Sequence, residues 1–359
     1  MSVIAPEAVH NVLGQTTQPT LAAFDSLKAG SPAPFWLFRG VAAAWCLDPD
    51  RIDLRLMTVS ENATFRLSLD GRAIGAVRVS QPGYAGGADA IVSELTWIQA
   101  LREALAEVDI IEPVPSPRGP YLAIVKDNSG TGWMCVSTRY VDGRPLEDLR
   151  DPAQHYRIIG RWTALFHQQA RAWTLPRGFR RFTWDIDDMV GPSCRWGRWE
   201  TVARLPDSEL ALLTRAQELA LTLLEDLPKN SETWGLIHAD LRPANVLVAG
   251  DKLTVIDFDD SGFSYYLYDY AAALTLVEHH SYAPAMATEW MAGYQEVTPL
   301  SSKEILHASA LSMVRRLQGL GWTGGHREDA LPDGLFAEQL PGTVEVARHF
   351  LKSPTWLLD

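Results

Sequence analysis

The chain has 359 residues, with 32 Lys and Arg against 44 Asp and Glu, so its formal net charge is −12. This acidic balance argues against a protein that binds nucleic acid through a basic face, and it suits neutral or cationic partners. The three cysteines, Cys46, Cys135 and Cys194, contain no Cys-x-x-Cys pair, so neither a disulfide framework nor a structural zinc site is indicated.

The sequence carries no sign of export or of a membrane span. Residues 1–15 contain no Lys or Arg and no sustained apolar run, so we expect no secretory signal. Charged residues interrupt the most apolar stretches, which fall short of the roughly 18 apolar residues that a membrane span needs. We therefore expect a cytoplasmic protein with no membrane or nucleic-acid partner.

The first part of the chain predicts a helical leading segment followed by strands. Residues 1–50 read as a mostly helical leader, with an apolar run after the breaker Gly30-Ser31-Pro32. From Ile52 apolar and polar residues alternate, and Asp70-Gly71 marks a turn into a further strand, which is typical of β-hairpins. Residues 88–108 repeat apolar side chains every three or four positions and predict an amphipathic helix.

The rest of the chain predicts two more strands and then a mostly helical region. The prolines at positions 113, 115, 117 and 120 indicate a stiff connector, after which residues 121–126 and 133–141 predict strands. Beyond residue 152 helical patterns dominate, interrupted by two short β-type segments within residues 234–258. The predicted organisation is the leader 1–50, a nucleotide-covering N-lobe 51–142, and a catalytic and acceptor-binding C-lobe 143–359.

Two segments of the C-lobe carry the pattern of phosphoryl transfer. Asp240 and Asn245 lie five positions apart in a predicted loop, and Asp257 follows an apolar strand. Taken singly, such residues are usually turn or cap residues. Phosphoryl transfer needs a carboxylate that accepts the proton of the attacking hydroxyl, and oxygen ligands for Mg²⁺. The ordered set therefore favours Asp240 as the base and Asn245 and Asp257 as metal ligands.

These segments resemble the motifs of the aminoglycoside phosphotransferase and choline kinase family, which shares the protein-kinase-like fold. The matches are His238-Ala239-Asp240-Leu241-Arg242-Pro243-Ala244-Asn245, where Ala239 replaces the usual glycine, and Ile256-Asp257-Phe258-Asp259. The resemblance extends over about residues 52–320. It implies an α+β, bilobal fold, with a small antiparallel β-sheet and one main helix in the N-lobe and a larger, mostly helical C-lobe.

The resemblance also implies roles for residues outside the loop. His238 and Asp269 would support the catalytic loop rather than perform chemistry. Asn62 resembles the family's turn residue over the nucleotide, Arg78 takes the place of the basic residue that fixes phosphates, and Glu94 is its expected partner on the helix. Arg replaces the Lys that is usual at this position. The two differ in geometry, because a planar guanidinium can bind phosphate through two N–H donors.

Several positions remain open between binding and packing roles. The strand before Asp142 would contact adenine, with Thr138 and Tyr140 as candidate neighbours of the base. Asp259 shares a face with Asp257 if the strand stays extended, which makes it a candidate auxiliary metal or substrate ligand. The tryptophan-rich insert 179–199 suits either an acceptor pocket or packing.

The pair His279-His280 does not predict a metal site. Adjacent residues on a helix point about 100° apart, and no Cys or His partner occurs at ligand spacing.

The sequence thus predicts an ATP- or GTP-dependent phosphotransferase that requires Mg²⁺ and moves the γ-phosphoryl group to a hydroxyl of a small molecule. The acidic balance favours an amino alcohol or an aminoglycoside-like acceptor. A protein Ser/Thr kinase of the same fold and a catalytically silent nucleotide-binding regulator are the alternatives. Acceptor identity, nucleotide preference and oligomeric state are left open.

Overall fold

The alternation that begins at Ile52 forms three consecutive antiparallel strands in the computed structural model. The structure describes residues 23–359, apart from Asp25, Arg118, Pro120 and residues 150–152, 203–204, 326–330 and 332–333. Residues 1–22, the first part of the predicted leader, lie outside this description.

The N-terminal half of the described chain builds one antiparallel sheet with a helix packed against it. Its elements are α1 (Phe35–Ala44), β1 (Ile52–Val59), β2 (Ala63–Leu69), β3 (Arg72–Ser80), α2 (Ala88–Ala104), β4 (Asp109–Ile110), β5 (Pro113–Val114), β6 (Leu122–Lys126) and β7 (Gly132–Arg139). The strand order is β1-β2-β3-β7-β5, and β6 also pairs with β7. Strand β4 belongs to a second sheet in the C-terminal half.

One part of the predicted connector is a strand. Pro113–Val114 pairs antiparallel with Thr138 and Ser137 of β7, where the prolines had indicated only a stiff link. Proline is tolerated there because β5 lies at the edge of the sheet, where the missing N–H removes no ladder hydrogen bond. Helix α2 also ends earlier than predicted, at Ala104 rather than residue 108.

The C-terminal half is mostly helical and carries two small sheets. Its elements are β8 (Arg144–Pro145), α3 (Tyr156–Ala172), α4 (Ile186–Val190), α5 (Asp207–Leu224), β9 (Trp234–Ile237), β10 (Val246–Ala249), β11 (Lys252–Val255), β12 (Gly262–Tyr265), α6 (Tyr268–Ala273), α7 (Ala283–Gln295), α8 (Ser302–Thr323) and α9 (Leu335–Lys352). The sheets have the orders β4-β11-β10-β8 and β12-β9. Among the described helices, none has the length and apolar character to cross a bilayer.

Apolar side chains form three buried clusters. One packs α1 against the first sheet and includes Phe65 and Trp133. A second lies among α2, α3 and α7, and the third joins α5, α8 and α9. The second and third clusters flank the β9–β12 region, which they hold from both sides.

Helices α3 and α7 cross with their backbones in contact. A Cβ built on Gly160 would overlap the carbonyl oxygen of Trp290, and one on Gly293 would overlap the carbonyl oxygen of Arg157. The two glycines face opposite helices at the same crossing. The crossing therefore depends on the absence of a side chain at both positions.

We expect Gly160→Ala to lower the free energy of unfolding by about 3 kcal/mol. The added methyl group would overlap backbone atoms of α7, which cannot move aside as the end of a side chain can. Gly319→Ala is the matched control, since it lies inside α8 with open space where its Cβ would be. That control is expected to be neutral or to stabilise by about 0.5–1 kcal/mol. Urea unfolding measures both, and equal effects of the two substitutions would contradict the close crossing.

Candidate active site

The loop between β9 and β10 and the end of β11 bring the predicted catalytic and metal residues together. Asn245 immediately precedes β10, and Asp257 lies two residues beyond the end of β11. The two strands pair antiparallel with Val246 opposite Val255, and the Ile256 N–H donates to the Asn245 carbonyl at 2.9 Å. The hairpin thus places both predicted metal ligands at one end.

Asp240 is held by donors on both of its carboxylate oxygens. The Asn245 amide nitrogen donates to Oδ2 at 2.8 Å and to the Asp240 carbonyl at 2.9 Å. Arg242 Nε donates to the same Oδ2 at 3.3 Å, and Arg315 Nη2 donates to Oδ1 at 3.2 Å. The side chain is 17% exposed, so the carboxylate is fixed in orientation and still accessible.

Arg315 is a site residue that the sequence motifs do not reveal. It lies on α8, 75 positions from Asp240, and is buried. Its guanidinium also donates to the Tyr268 hydroxyl at 2.9 Å and the Thr275 hydroxyl at 3.0 Å, and it stacks 4.5 Å from the Trp196 ring. The sequence offers one hint of this role: Arg315 is positively charged and lies in a segment whose other central residues are mostly apolar or small.

Asp269 occupies the supporting position that the resemblance implies. Its carboxylate is fully buried and accepts hydrogen bonds from the backbone N–H groups of His238 at 3.2 Å and Ala239 at 2.6 Å. His167 Nε2 lies 3.0 Å from the same carboxylate, and His167 Nδ1 lies 2.9 Å from the Tyr294 hydroxyl. Burial lowers the pKa of His167, so the ring is neutral and donates one N–H to Asp269.

Two residues of the site adopt the left-handed backbone region. Ala239 has φ +67° and Asp257 has φ +60°. The first value explains why the family motif uses glycine there, since a left-handed conformation costs a residue with a Cβ about 1–2 kcal/mol. Ala239 keeps the conformation because Asp269 holds its N–H. His238 is buried beside it, with burial lowering its pKa and its ring 4.4 Å from the Phe258 ring.

The acidic residues after β11 form a cluster in which Asp257 is exposed at the surface and Asp259 and Asp260 are half-buried. Desolvation by the surrounding protein and the neighbouring Asp259 raise the pKa of Asp257 well above its usual value, and desolvation, Asp259 and Asp240 do the same for Asp260. The amide nitrogen of Asn245 faces Asp240, which leaves its oxygen as the free ligand. This set of hard oxygen donors and excess negative charge fits a divalent cation such as Mg²⁺.

The extended geometry expected for Asp257 and Asp259 is wrong, because β11 ends at Val255 and Asp257 is left-handed. Asp259 Oδ2 instead accepts hydrogen bonds from the Asn62 amide at 2.6 Å and the Tyr84 hydroxyl at 2.9 Å. The predicted nucleotide residue Asn62 therefore contacts the acidic cluster, and Tyr84 is an additional partner that the sequence did not indicate.

The predicted pair of Arg78 and Glu94 is formed. Arg78 Nη2 lies 2.8 Å from Glu94 Oε2, and both side chains are largely buried. A second cation, Arg181, lies 3.8 Å from the same oxygen and donates to the carbonyl oxygens of Ala90 and Asp259. Sequence reasoning missed Arg181, because it comes from a loop far along the chain.

The two predicted adenine neighbours lie where the first sheet ends. Thr138 is in β7, opposite Ala76 of β3, and Tyr140 follows the strand with its N–H donating to the Ile74 carbonyl at 3.2 Å. The structure contains no base, so their contact with adenine stays a prediction.

The tryptophans of the insert 179–199 divide between packing and the site. Trp184 and Trp199 are buried in the cluster of α5, α8 and α9, whereas Trp196 stacks on Arg315. A further contact links the two lobes beside the acidic cluster, because Trp322 Nε1 on α8 donates to Glu61 Oε1 at 2.8 Å.

Comparison with known proteins agrees with this geometry. The sequence model of the phosphotransferase enzyme family matches residues 58–304, more than half of the chain. The chain belongs to this family, and the predicted family resemblance is confirmed.

Particular relatives are small-molecule kinases by name. The solved structure of a microcompartment-associated aminopropanol kinase is 32% identical, with a TM-score of 0.78, over 89% of this chain and 98% of that one, which confirms the predicted fold class. Amicoumacin kinase of Bacillus subtilis (strain 168) is 24% identical over 59% of this chain and 62% of its own length. Homoserine kinase of Sinorhizobium fredii (strain NBRC 101917 / NGR234) is 29% identical over 62% of this chain and 64% of its own. The chain thus spans less than two thirds of these two curated relatives.

We expect Asp269→Asn to lower the free energy of unfolding by about 3 kcal/mol, because the amide cannot accept all the hydrogen bonds that the buried carboxylate accepts. Asp251→Asn is the control, since Asp251 is exposed in the turn between β10 and β11. Chemical unfolding of both variants measures the difference. A loss no larger than that of the control would contradict the supporting role of Asp269.

Proposed function

We propose that the protein is a Mg²⁺-dependent kinase that transfers the γ-phosphoryl group of ATP or GTP to the hydroxyl of a small amino alcohol. The observation that carries this proposal is the proximity of Asp240, Asn245 and Asp257 around one hairpin. Membership of a phosphotransferase family supports it. The 32% identity with an aminopropanol kinase supports the acceptor class.

In the proposed reaction Asp240 accepts the proton of the acceptor hydroxyl as that oxygen attacks the γ-phosphorus. The donors on its two oxygens, Asn245 and Arg242 on one side and Arg315 on the other, fix the carboxylate before the acceptor binds. Such positioning removes much of the orientational cost of the reaction. A placed general base typically contributes about 10²–10⁴-fold to the rate.

Mg²⁺ would be held by the Asn245 amide oxygen and the Asp257 carboxylate, with Asp259 as an auxiliary ligand. When bound, the ion neutralises charge on the nucleotide phosphates. Arg78, fixed by Glu94, would bind the phosphates, and Asn62, Thr138 and Tyr140 would line the rest of the nucleotide site. His238 and Asp269 would keep the loop in place without contacting substrate.

The acceptor's ammonium group would be bound by Asp260 and Glu61. The raised pKa of Asp260, caused by burial and then by Asp259, Asp240 and Glu61, marks a position where a cation is favoured. The Asp260 carboxylate interacts electrostatically with Asp240, the proposed base, and with Glu61 in the turn between β1 and β2. An amino alcohol would therefore present its hydroxyl to Asp240 while its ammonium group balances these carboxylates.

We expect Asp240→Ala to reduce acceptor-dependent turnover by about 10²–10⁴-fold while nucleotide affinity changes little, because the side chain acts on the acceptor. Coupled turnover assays and nucleotide titration measure the two quantities. Asp251→Ala is the control for changes to the same hairpin.

Turnover of Asp240→Ala equal to that of the control would overturn the assignment of the base. Phosphate transfer to protein but to no small molecule would favour the Ser/Thr kinase alternative. Nucleotide binding without transfer to any acceptor would favour the silent regulator.

The acceptor class is tested by comparing aminopropanol with propanediol, which lacks the ammonium group. We expect aminopropanol to have the higher kcat/KM by about 10–100-fold, because a hydrogen bond to a charged group contributes about 1.5–3 kcal/mol. Asp260→Asn should shrink that ratio and leave the KM for nucleotide unchanged. Equal kcat/KM values for the two alcohols, or a higher kcat/KM for homoserine than for both, would contradict the amino alcohol proposal.

A further inference from the structure

Three metal-binding side chains meet at a surface position that shares no residue with the proposed active site. His279 and His280 lie in the turns that follow α6, and Glu338 lies in the first turn of α9. One ligand atom from each lies within 4.8 Å of the others. Two imidazoles and a carboxylate are a donor set typical of borderline divalent ions such as Zn²⁺.

The distances from the Glu338 carboxylate to the two imidazoles fit one ion. Glu338 Oε2 lies 3.4 Å from His279 Nε2 and 3.2 Å from His280 Nε2. In a tetrahedral site with bonds of about 2.0–2.1 Å, neighbouring ligand atoms are about 3.3–3.4 Å apart. Both separations are close to that edge length.

The buried nitrogen of His280 lacks a partner in the described part of the chain. His280 Nε2 makes no hydrogen bond there, although Glu338 Oε2 is 3.2 Å away. The two atoms are close enough for a hydrogen bond, so their relative orientation, rather than their separation, prevents one. An ion beside both atoms would satisfy the nitrogen lone pair and the carboxylate together.

The backbone at His279 and His280 differs from the helix that the sequence argument against a metal site assumed. That argument assumed helical neighbours, whose side chains diverge, but α6 ends at Ala273 and Leu276 has φ +76°. The reversed backbone brings the rings of His279 and His280 to a centroid distance of 4.4 Å. The third ligand, Glu338, is 59 positions from His279 and has no local sequence signal.

The surrounding charges leave the site ready for a cation. Arg316 is nearby, and a buried ion pair with Glu278 at 2.6 Å offsets its positive charge. Glu338 is 51% exposed, which allows an ion to enter and water to complete its coordination.

We propose that His279, His280 and Glu338 bind one divalent ion of the zinc class, which fastens the first turn of α9 to the turns after α6. The ring of His279 already packs against the backbone of α9, since a Cβ on Gly342 would lie 2.6 Å from its Cγ. The ion would add a covalent-like link between segments that otherwise meet through packing and a half-exposed carboxylate. Metal binding would therefore stabilise the fold.

The test uses the full chain with Zn²⁺ as the probe, in excess Mg²⁺. Wild type is expected to bind one Zn²⁺ per chain in a chelator competition titration, and Co²⁺ should give the visible absorption of a four-coordinate site. Glu338→Gln and His280→Gln should each weaken binding by at least about tenfold, since even outer partners of metal ligands contribute about 10–100-fold. Zn²⁺ should raise the Tm of wild type but not of Glu338→Gln.

Glu345→Gln is the matched control. Glu345 is 57% exposed on the same helix and lies 4.0 Å from His349, so it is a His–Glu pair without the second histidine. The Glu345→Gln variant should bind Zn²⁺ as tightly as wild type does. Absence of stoichiometric binding, or equal affinity of Glu338→Gln and the control, overturns the proposal. Binding that is lost in Asp257→Asn but kept in Glu338→Gln also overturns it, because the ion would then occupy the active site.

None of these readouts uses turnover, so the result is independent of the proposed kinase activity.

Discussion

The concentration of carboxylates around the β10–β11 hairpin, beside Arg315 of α8, is the constraint on which the rest of the site depends. Burying an uncompensated carboxylate costs several kcal/mol, so each needs donors or a cation nearby. Four arginines from separate parts of the chain supply this charge or these donors: Arg78, Arg181, Arg242 and Arg315. The pKa values of Asp257 and Asp260 remain raised by burial and by Asp259, so the compensation is incomplete. A divalent cation and a cationic acceptor would complete it.

The carboxylates of the site divide into two kinds by their exposure and by the partners that they have. Asp269 is surrounded by N–H donors of the catalytic loop and by a neutral histidine, so its charge is satisfied within the fold. Asp257 and Asp260 lie near other carboxylates, which raise their pKa values. The first arrangement makes a rigid support, and the second makes a place for ligands. This contrast explains why one aspartate can hold strained backbone at Ala239 while others are free for chemistry.

The sequence predicts what is local and misses what folding brings together. The catalytic loop motif and the Arg78–Glu94 pair were predictable because their residues lie within one motif or one strand–helix unit. Arg315 and Trp322 were not, since they contact residues 75 and 261 positions away. No motif in their own segment marks these contacts, and the glycines around Trp322 suggested a flexible loop where α8 in fact continues to Thr323. Periodicity also failed at Asp257, where a left-handed residue ends the strand and redirects Asp259 towards the N-lobe.

The groups proposed to face the acceptor lie outside the catalytic loop motif. The loop motif defines the chemistry of phosphoryl transfer, but the groups facing the proposed acceptor come from outside it. Glu61 lies in a turn of the first sheet, Asp260 follows β11, and Arg315 lies on α8. Because these segments can change without altering the motif, one catalytic loop can serve different acceptors. Relatives named for aminopropanol, amicoumacin and homoserine are consistent with that separation. Under the proposed function, the identity of the acceptor would therefore depend on contacts between distant segments, which only the folded chain assembles.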